Sequence, residues 1–133
     1  MAPDPDVAAA PSGPRVRRVY DPPEAADGTR VLVDRLWPRG LAKADAAVDH
    51  WCKDVAPSNE LRRWYGHQTE RFEEFARRYR RELTAPQARE ALDDLRERAA
   101  AGPLTLLTAT KDVPHGHVTV LAEVLGEGPA AGG

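Results

Sequence analysis

The sequence predicts an α/β domain in which helices flank a small, mainly parallel central sheet. Three observations carry that expectation. The uninterrupted aliphatic run at 31–33 (VLV) reads as a strand buried on both faces, as in a covered parallel sheet, and 104–109 (LTLLTA) reads as a second buried strand. Phe72, Phe75, Tyr79 and Leu83 recur at spacings of three and four, the stripe of an amphipathic helix. Strand and helix signals alternate, and a helix pair just before LTLLTA fits a parallel crossover onto the sheet.

Taken in order, residues 1–14 (MAPDPDVAAAPSGP) lack the basic and apolar regions of a secretory signal and are expected to form a disordered tail. RVRRVY, 15–20, reads as a short strand, and DPPEAADG after it is dense in turn formers. RVLVDRL is the next strand. VDHWCKDV, 48–55, fits helix and strand spacing equally well, and Pro57 ends it in either case. Ser58 has the character of an N-cap, with Glu60 in the first turn, for a short helix through Leu61, Trp64 and Tyr65 that Gly66 closes. The striped helix follows from Thr69. Thr84 to Gln87 has the capping-box form with Pro86 in the first turn, and Leu92 and Leu95 carry that helix to Gly102 and Pro103. A last helix is expected over 117–125, with Val118, Leu121, Val124 and Leu125 turned inward. The domain is therefore bounded at 15–126, with a flexible tail at 127–133.

A chain of 133 residues, 41% hydrophobic and 30% charged, supports one core. With 19 Lys and Arg against 21 Asp and Glu, its formal charge is -2, which excludes a broadly basic, DNA-coating protein and leaves any anion site local. The single cysteine, Cys52, excludes an internal disulfide and a multi-cysteine zinc site and fits a reducing compartment, so the cytoplasm is the expected location. No segment has the roughly 18–20 apolar residues of a membrane span.

Ligands of open α/β sheets sit beyond the carboxyl ends of the strands. Two strand ends carry polar groups there: Asp34, Arg35, Trp37 and Arg39 after the first aliphatic run, and Lys111, Asp112, His115 and His117 after LTLLTA. If the two strands are parallel neighbours, Arg35, Arg39 and Lys111 converge as cations suited to phosphate or carboxylate. The amino end of the last helix would add its dipole, with His117 and Asp34 as candidates for acid–base chemistry. An anionic small molecule is the ligand this pattern favours. Other readings stand beside it. Asp34 with Arg35 or Arg39 also fits a buried ion pair that orders the loop, and Trp37 fits a packing anchor as well as a stacking platform. His115 and His117 form an HxH pair, but across a loop into a helix start this lacks the i, i+4 spacing of a metal site. His50 and Cys52 read as plain core or surface residues, and the Arg run in RRYRRE as a solvated face paired with Glu73 and Glu74. No GxGxxG, Walker loop or GxSxG elbow is present.

Four segments, RVYDPPEAADGTRVLVDRLWPRGL, APSNELRRWYGH, FEEFARRYRREL and GPLTLLTATKDVPHGHVTVLAEVL, occur in the order found in the YeaO-like branch of the DUF488 family, and over 15–126 the chain resembles that branch. The resemblance implies a short central sheet flanked by helices and a strand at HWCKDV. It carries over Tyr20, Asp34, Arg35, Trp37, Pro38, Arg39 and Gly40 from the first block. Trp51, Lys53, Pro57, Ser58, Leu61 and Arg62 come from the second, and Lys111, Asp112 and His117 from the last, which adds Lys53 and Arg62 to the expected ligand rim. The chain departs from the branch in having Gly116 where an asparagine is usual. It departs from the wider family's Cys-x-Glu and Cys-His-Arg in having Thr108 with Thr110, and Gly116-His117-Val118. The resemblance therefore does not carry over chemistry that rests on those cysteines and that glutamate, while the histidine is kept. Three function classes follow: an enzyme or degenerate enzyme that binds a nucleotide or phosphorylated metabolite; a nucleic-acid or protein binding module; and a haem or metal protein using His117, His115 or His67. No helix-turn-helix with a basic recognition helix supports a transcriptional regulator.

Overall fold

A computed structural model describes residues 14–127, so the expected tails lie outside the described residues except for Pro14 and Glu127. Four strands, β1 (Arg15–Arg18), β2 (Thr29–Leu32), β3 (His50–Trp51) and β4 (Leu104–Thr108), form one sheet in the order β1-β4-β2-β3. Every pairing is parallel, with Val31 opposite Leu106 and His50, and Val16 opposite Leu106 on the other side. The α/β expectation with a parallel sheet holds, and β2 and β4, the strands bearing the two polar loops, are immediate neighbours.

The four helices are α1 (Asn59–Tyr65), α2 (Phe72–Glu82), α3 (Pro86–Ala101) and α4 (His117–Glu127). Helix α1 begins where the sequence indicates, with the Ser58 hydroxyl accepting from the Leu61 N–H at 3.1 Å, and it ends at Gly66 in the left-handed region. The stripe of α2 buries Phe75 and Tyr79, an aromatic and a phenol worth roughly 1.5–3 kcal/mol each as apolar burial. The Tyr79 hydroxyl, buried with the ring, donates to the Val55 carbonyl. At α3 the expected capping box does not form. Ala85 occupies the cap position, the Thr84 hydroxyl donates back to the Arg81 carbonyl at 2.7 Å, and Gln87 reaches Asp54 instead.

The ambiguous 48–55 segment resolves into both a strand and a turn. His50–Trp51 adds to the sheet edge beside β2, and Lys53–Val55 then closes a single 3-10 turn. Side chains alternate across the sheet. Val31, Val33, Leu104 and Leu106 join a core with residues from all four helices. Leu32 and Leu107 point the other way, where Val19 and the half-buried Trp37, Leu41, Val48 and Trp51 cover them. The second face of the sheet is therefore closed by the β2–β3 crossover, which carries Trp37, and by Trp51 of β3, so a run as apolar as VLV needs no helix on that side.

Entry into β2 depends on Gly28. Its φ is +61°, and a Cβ there would lie 2.2 Å from the Pro103 carbonyl oxygen, which accepts the Thr29 N–H. Just before it, Asp27 is fully buried beneath three arginines. Arg30 and Arg17 contact one carboxylate oxygen at 2.6 and 2.8 Å, and Arg15 contacts the other at 2.9 Å. Burial opposes ionisation of Asp27, but the Glu24 N–H, Arg30 and Arg17 outweigh it and bring its pKa down to about 2.

Candidate functional site

Beyond the carboxyl ends of β2 and β4 lies a cavity of about 940 Å3, and the loops after both strands contribute to its wall. The structure brings Asp34, Arg35, Trp37, Arg39, Arg62, Lys111, Asp112 and His117 together there, eight of the nine site residues expected from the sequence. Lys53 is the exception. It follows β3 at the sheet edge, and its ammonium lies 4.5 Å from the Trp51 ring centre, in a separate small hollow with His50, Cys52 and Arg98.

Asp34 holds the two strand ends together. One carboxylate oxygen accepts from the buried Thr108 hydroxyl and the other from the Ala109 N–H, both at 2.8 Å. The Asp34 carbonyl accepts from Trp51 Nε1 at 2.8 Å. The ion pair with Arg35 or Arg39 that the sequence allowed is replaced by these bonds. Arg35 instead donates to the carbonyls of Pro57 and Ala56, at 3.1 and 3.2 Å, clamping the segment before α1.

His117 opens α4 with its side chain only 12% exposed. Its Nε2 lies 3.1 Å from the Val33 carbonyl, which can only accept, so Nε2 carries the proton. The same N–H passes 3.4 Å from Asp34 Oδ1. Burial lowers the His117 pKa, and the Arg62 charge adds to this, against the opposing pull of Asp34 and Val33. At pH 7 the ring is neutral. It stands edge-on to Tyr79 with ring centres 5.9 Å apart.

The rest of the wall is partly committed as well. Trp37 donates from Nε1 to the Leu41 carbonyl at 2.7 Å and meets Trp51 edge-on at 5.5 Å, so it anchors the second core and lines the cavity too. Asp112 is paired with His115 Nδ1 at 2.9 Å, and Tyr65 donates to the His115 carbonyl at 2.7 Å. The HxH pair thus points at protein partners, and among the described residues no group of three or more His, Cys, Asp or Glu is placed to hold a metal ion. Arg62 reaches Asn59 at 3.2 Å. Arg39 and Lys111 are exposed, and no hydrogen bond or ion pair ties down either one among the described residues.

Sequence reasoning did not place Tyr65, His67 or Phe75 in this wall. The helical stripe marked Phe75 as core, and the Gly66 stop signal hid the fact that the next residue, His67, also takes a left-handed φ of 58°. Cys52 is half-buried, and burial raises its pKa, so the geometry gives it no thiolate character.

Residues 15–131 match the family described as "Inactive DUF488-N3 subclade". The chain belongs to the DUF488 family. It is 52% identical over 111 residues to an uncharacterised protein of Mycobacterium tuberculosis, covering 84% of this chain and 92% of that one. It is 44% identical over 110 residues to the uncharacterised protein YeaO of Escherichia coli, covering 82% and 93% respectively. No solved structure gives a significant match. No helix among the described residues is long and apolar enough to cross a membrane.

Proposed function

We propose that this DUF488 protein is a small cytoplasmic binding protein that holds an anionic small molecule, a nucleotide or phosphorylated metabolite, in the cavity beyond β2 and β4. One observation carries the reading. The cavity is lined by four cations, Arg35, Arg39, Arg62 and Lys111, and two carboxylates, Asp34 and Asp112. Both carboxylates already have protein partners, while Arg39 and Lys111 have none among the described residues. Uncommitted positive charge beside an apolar wall is the arrangement that takes up an anion. Gly116 and His117 at the start of α4 put the positive end of that helix in the same wall.

Asp34 and His117 support the wall in this reading. Asp34 uses both carboxylate oxygens to join β2 to β4, and His117 commits its single N–H to Val33, so neither has a proton to give to a ligand. The description of the subclade as inactive agrees with binding without turnover. Thermal-shift titration with inorganic phosphate and AMP tests the proposal, with Arg39→Ala and Lys111→Ala as controls. Anion-dependent stabilisation that both variants lose supports it. No stabilisation, or equal shifts in the variants, rules it out.

A further inference from the structure

The cavity wall also constrains what the anion is attached to. Besides the cations it presents Leu36, Trp37, Pro38, Tyr65, His67 and Phe75. Leu36 is 65% exposed, the most exposed large hydrophobic residue among the described residues. Acceptors for hydroxyl groups are scarce by comparison. The wall has no Asn, Gln, Ser or Glu side chain, Thr110 brings a single hydroxyl, the two carboxylates already accept from protein partners, and the Tyr65 hydroxyl donates to the His115 carbonyl. A polyhydroxylated sugar phosphate entering this space would leave several hydroxyls without partners, and each unmet polar group weakens binding. A flat unsaturated ring meets the opposite situation, because it gains from apolar and aromatic contact and asks for few hydrogen bonds.

His67 adds a second, independent observation. It is one of only two non-glycine residues at positive φ among the described residues, and it follows Gly66, which is left-handed as well. Two successive left-handed residues reverse the chain after α1, and the exposed His67 lines the cavity with no hydrogen bond to protein among the described residues. Non-glycine residues in this region are uncommon and concentrate at ligand-contacting positions.

We propose, resting on the anion reading above, that the bound anion carries a flat unsaturated ring, which Trp37 and His67 contact while Arg39 and Lys111 hold the charged group. The protein then selects a nucleotide or another aryl anion over a sugar phosphate. His67 is a specificity-determining residue for the ring, and it contributes nothing to the anionic group.

Isothermal titration of the full chain with AMP, phenyl phosphate, ribose 5-phosphate and inorganic phosphate separates the possibilities. The expected result is that AMP and phenyl phosphate bind about tenfold or more tighter than ribose 5-phosphate, the scale of one aromatic stacking contact. His67→Asn should erase most of that advantage and leave inorganic phosphate unchanged. Asparagine is at home in the left-handed region, so the turn survives the loss of the ring. AMP binding tighter than phenyl phosphate would identify a nucleotide as the source of the ring, and equal binding a simpler aryl anion; either supports the proposal. Ribose 5-phosphate binding as tightly as AMP overturns the ring and leaves the anion site standing, as does His67→Asn with an undiminished preference. If no compound binds, both readings fall together.

Discussion

Replacing Asp34 with alanine removes the carboxylate that ties the end of β2 to the end of β4. Two hydrogen bonds to an ionised acceptor disappear, from the Thr108 hydroxyl and the Ala109 N–H, each 2.8 Å long. Such bonds contribute about 1.5–3 kcal/mol apiece. They share one carboxylate and so do not add fully, which puts the loss at roughly 3–5 kcal/mol. Thr108 is completely buried, so water cannot replace its lost partner without opening the core. Asp34→Asn keeps the shape. Its amide oxygen can accept from Ala109, and the Thr108 hydroxyl can rotate to accept from the amide, for a loss of about 1–2 kcal/mol. The bond from Trp51 Nε1 goes to the Asp34 main-chain carbonyl and survives both changes. Urea denaturation at pH 7, followed by far-UV circular dichroism, measures both variants. A small domain has about 5–15 kcal/mol in total, so the alanine variant should show a greatly lowered midpoint. Asp34→Ala within about 1 kcal/mol of the wild type would refute the supporting role, as would Asp34→Asn costing as much as Asp34→Ala.

Two pH effects follow from buried groups on either side of the sheet. Asp27 has a folded pKa lowered to about 2 from 3.8, so its contribution is complete above pH 4 and is lost as pH falls from 3.8 through 2. That contribution is roughly 2 kcal/mol, and the acid-induced loss of stability measured by denaturation between pH 5 and 2 should flatten in Asp27→Asn. His117 shifts down from 6.5 because burial disfavours its cation. Its unfolded form takes up a proton first, so stability is full above pH 6.5 and falls as pH drops through the lowered folded value. His117→Gln, whose amide can replace Nε2 as donor to Val33, should remove the part of the slope that begins below pH 6.5 in the same experiment.

Local signals were legible where a side chain acts on its own neighbourhood. The Ser58 cap, the Gly66 stop and the Phe75–Tyr79 stripe depend on contacts within one turn, and the structure reproduces them. The site was legible for a different reason. Two parallel strands that end in polar loops deliver those loops to one rim, and β2 and β4 are paired. Lys53 failed the same logic because β3 ends at the sheet edge, and the following turn folds the lysine over Trp51. The Thr84 capping box failed through competition, since a threonine hydroxyl can serve the preceding helix's last carbonyls as readily as the next helix's first N–H groups. The arginine cluster on Asp27 depends on strand order. Arg15 and Arg30 both sit beside Thr105 in register, a neighbourhood that exists only once β4 lies between β1 and β2. All four residues lie within 15–30, but nothing in that stretch alone shows that β1 and β2 converge on Asp27. The tryptophan-bearing loop that covers the second sheet face was hidden likewise, because Trp37 and Trp51 meet each other only across the crossover between β2 and β3.

Arg39 and Lys111, the two uncommitted cations of the cavity, are the centre of the proposed anion site. Isothermal titration of AMP into the wild type and into Arg39→Ala/Lys111→Ala, at low and at physiological salt, tests their role. Saturable binding at one site is expected in the wild type, weakened about tenfold or more when both charges are removed, since charge-assisted bonds contribute about 1.5–3 kcal/mol each. The remaining binding should also lose most of its salt dependence. Equal affinity in the two proteins, or no binding to the wild type at either salt concentration, would contradict an anion site at the ends of β2 and β4.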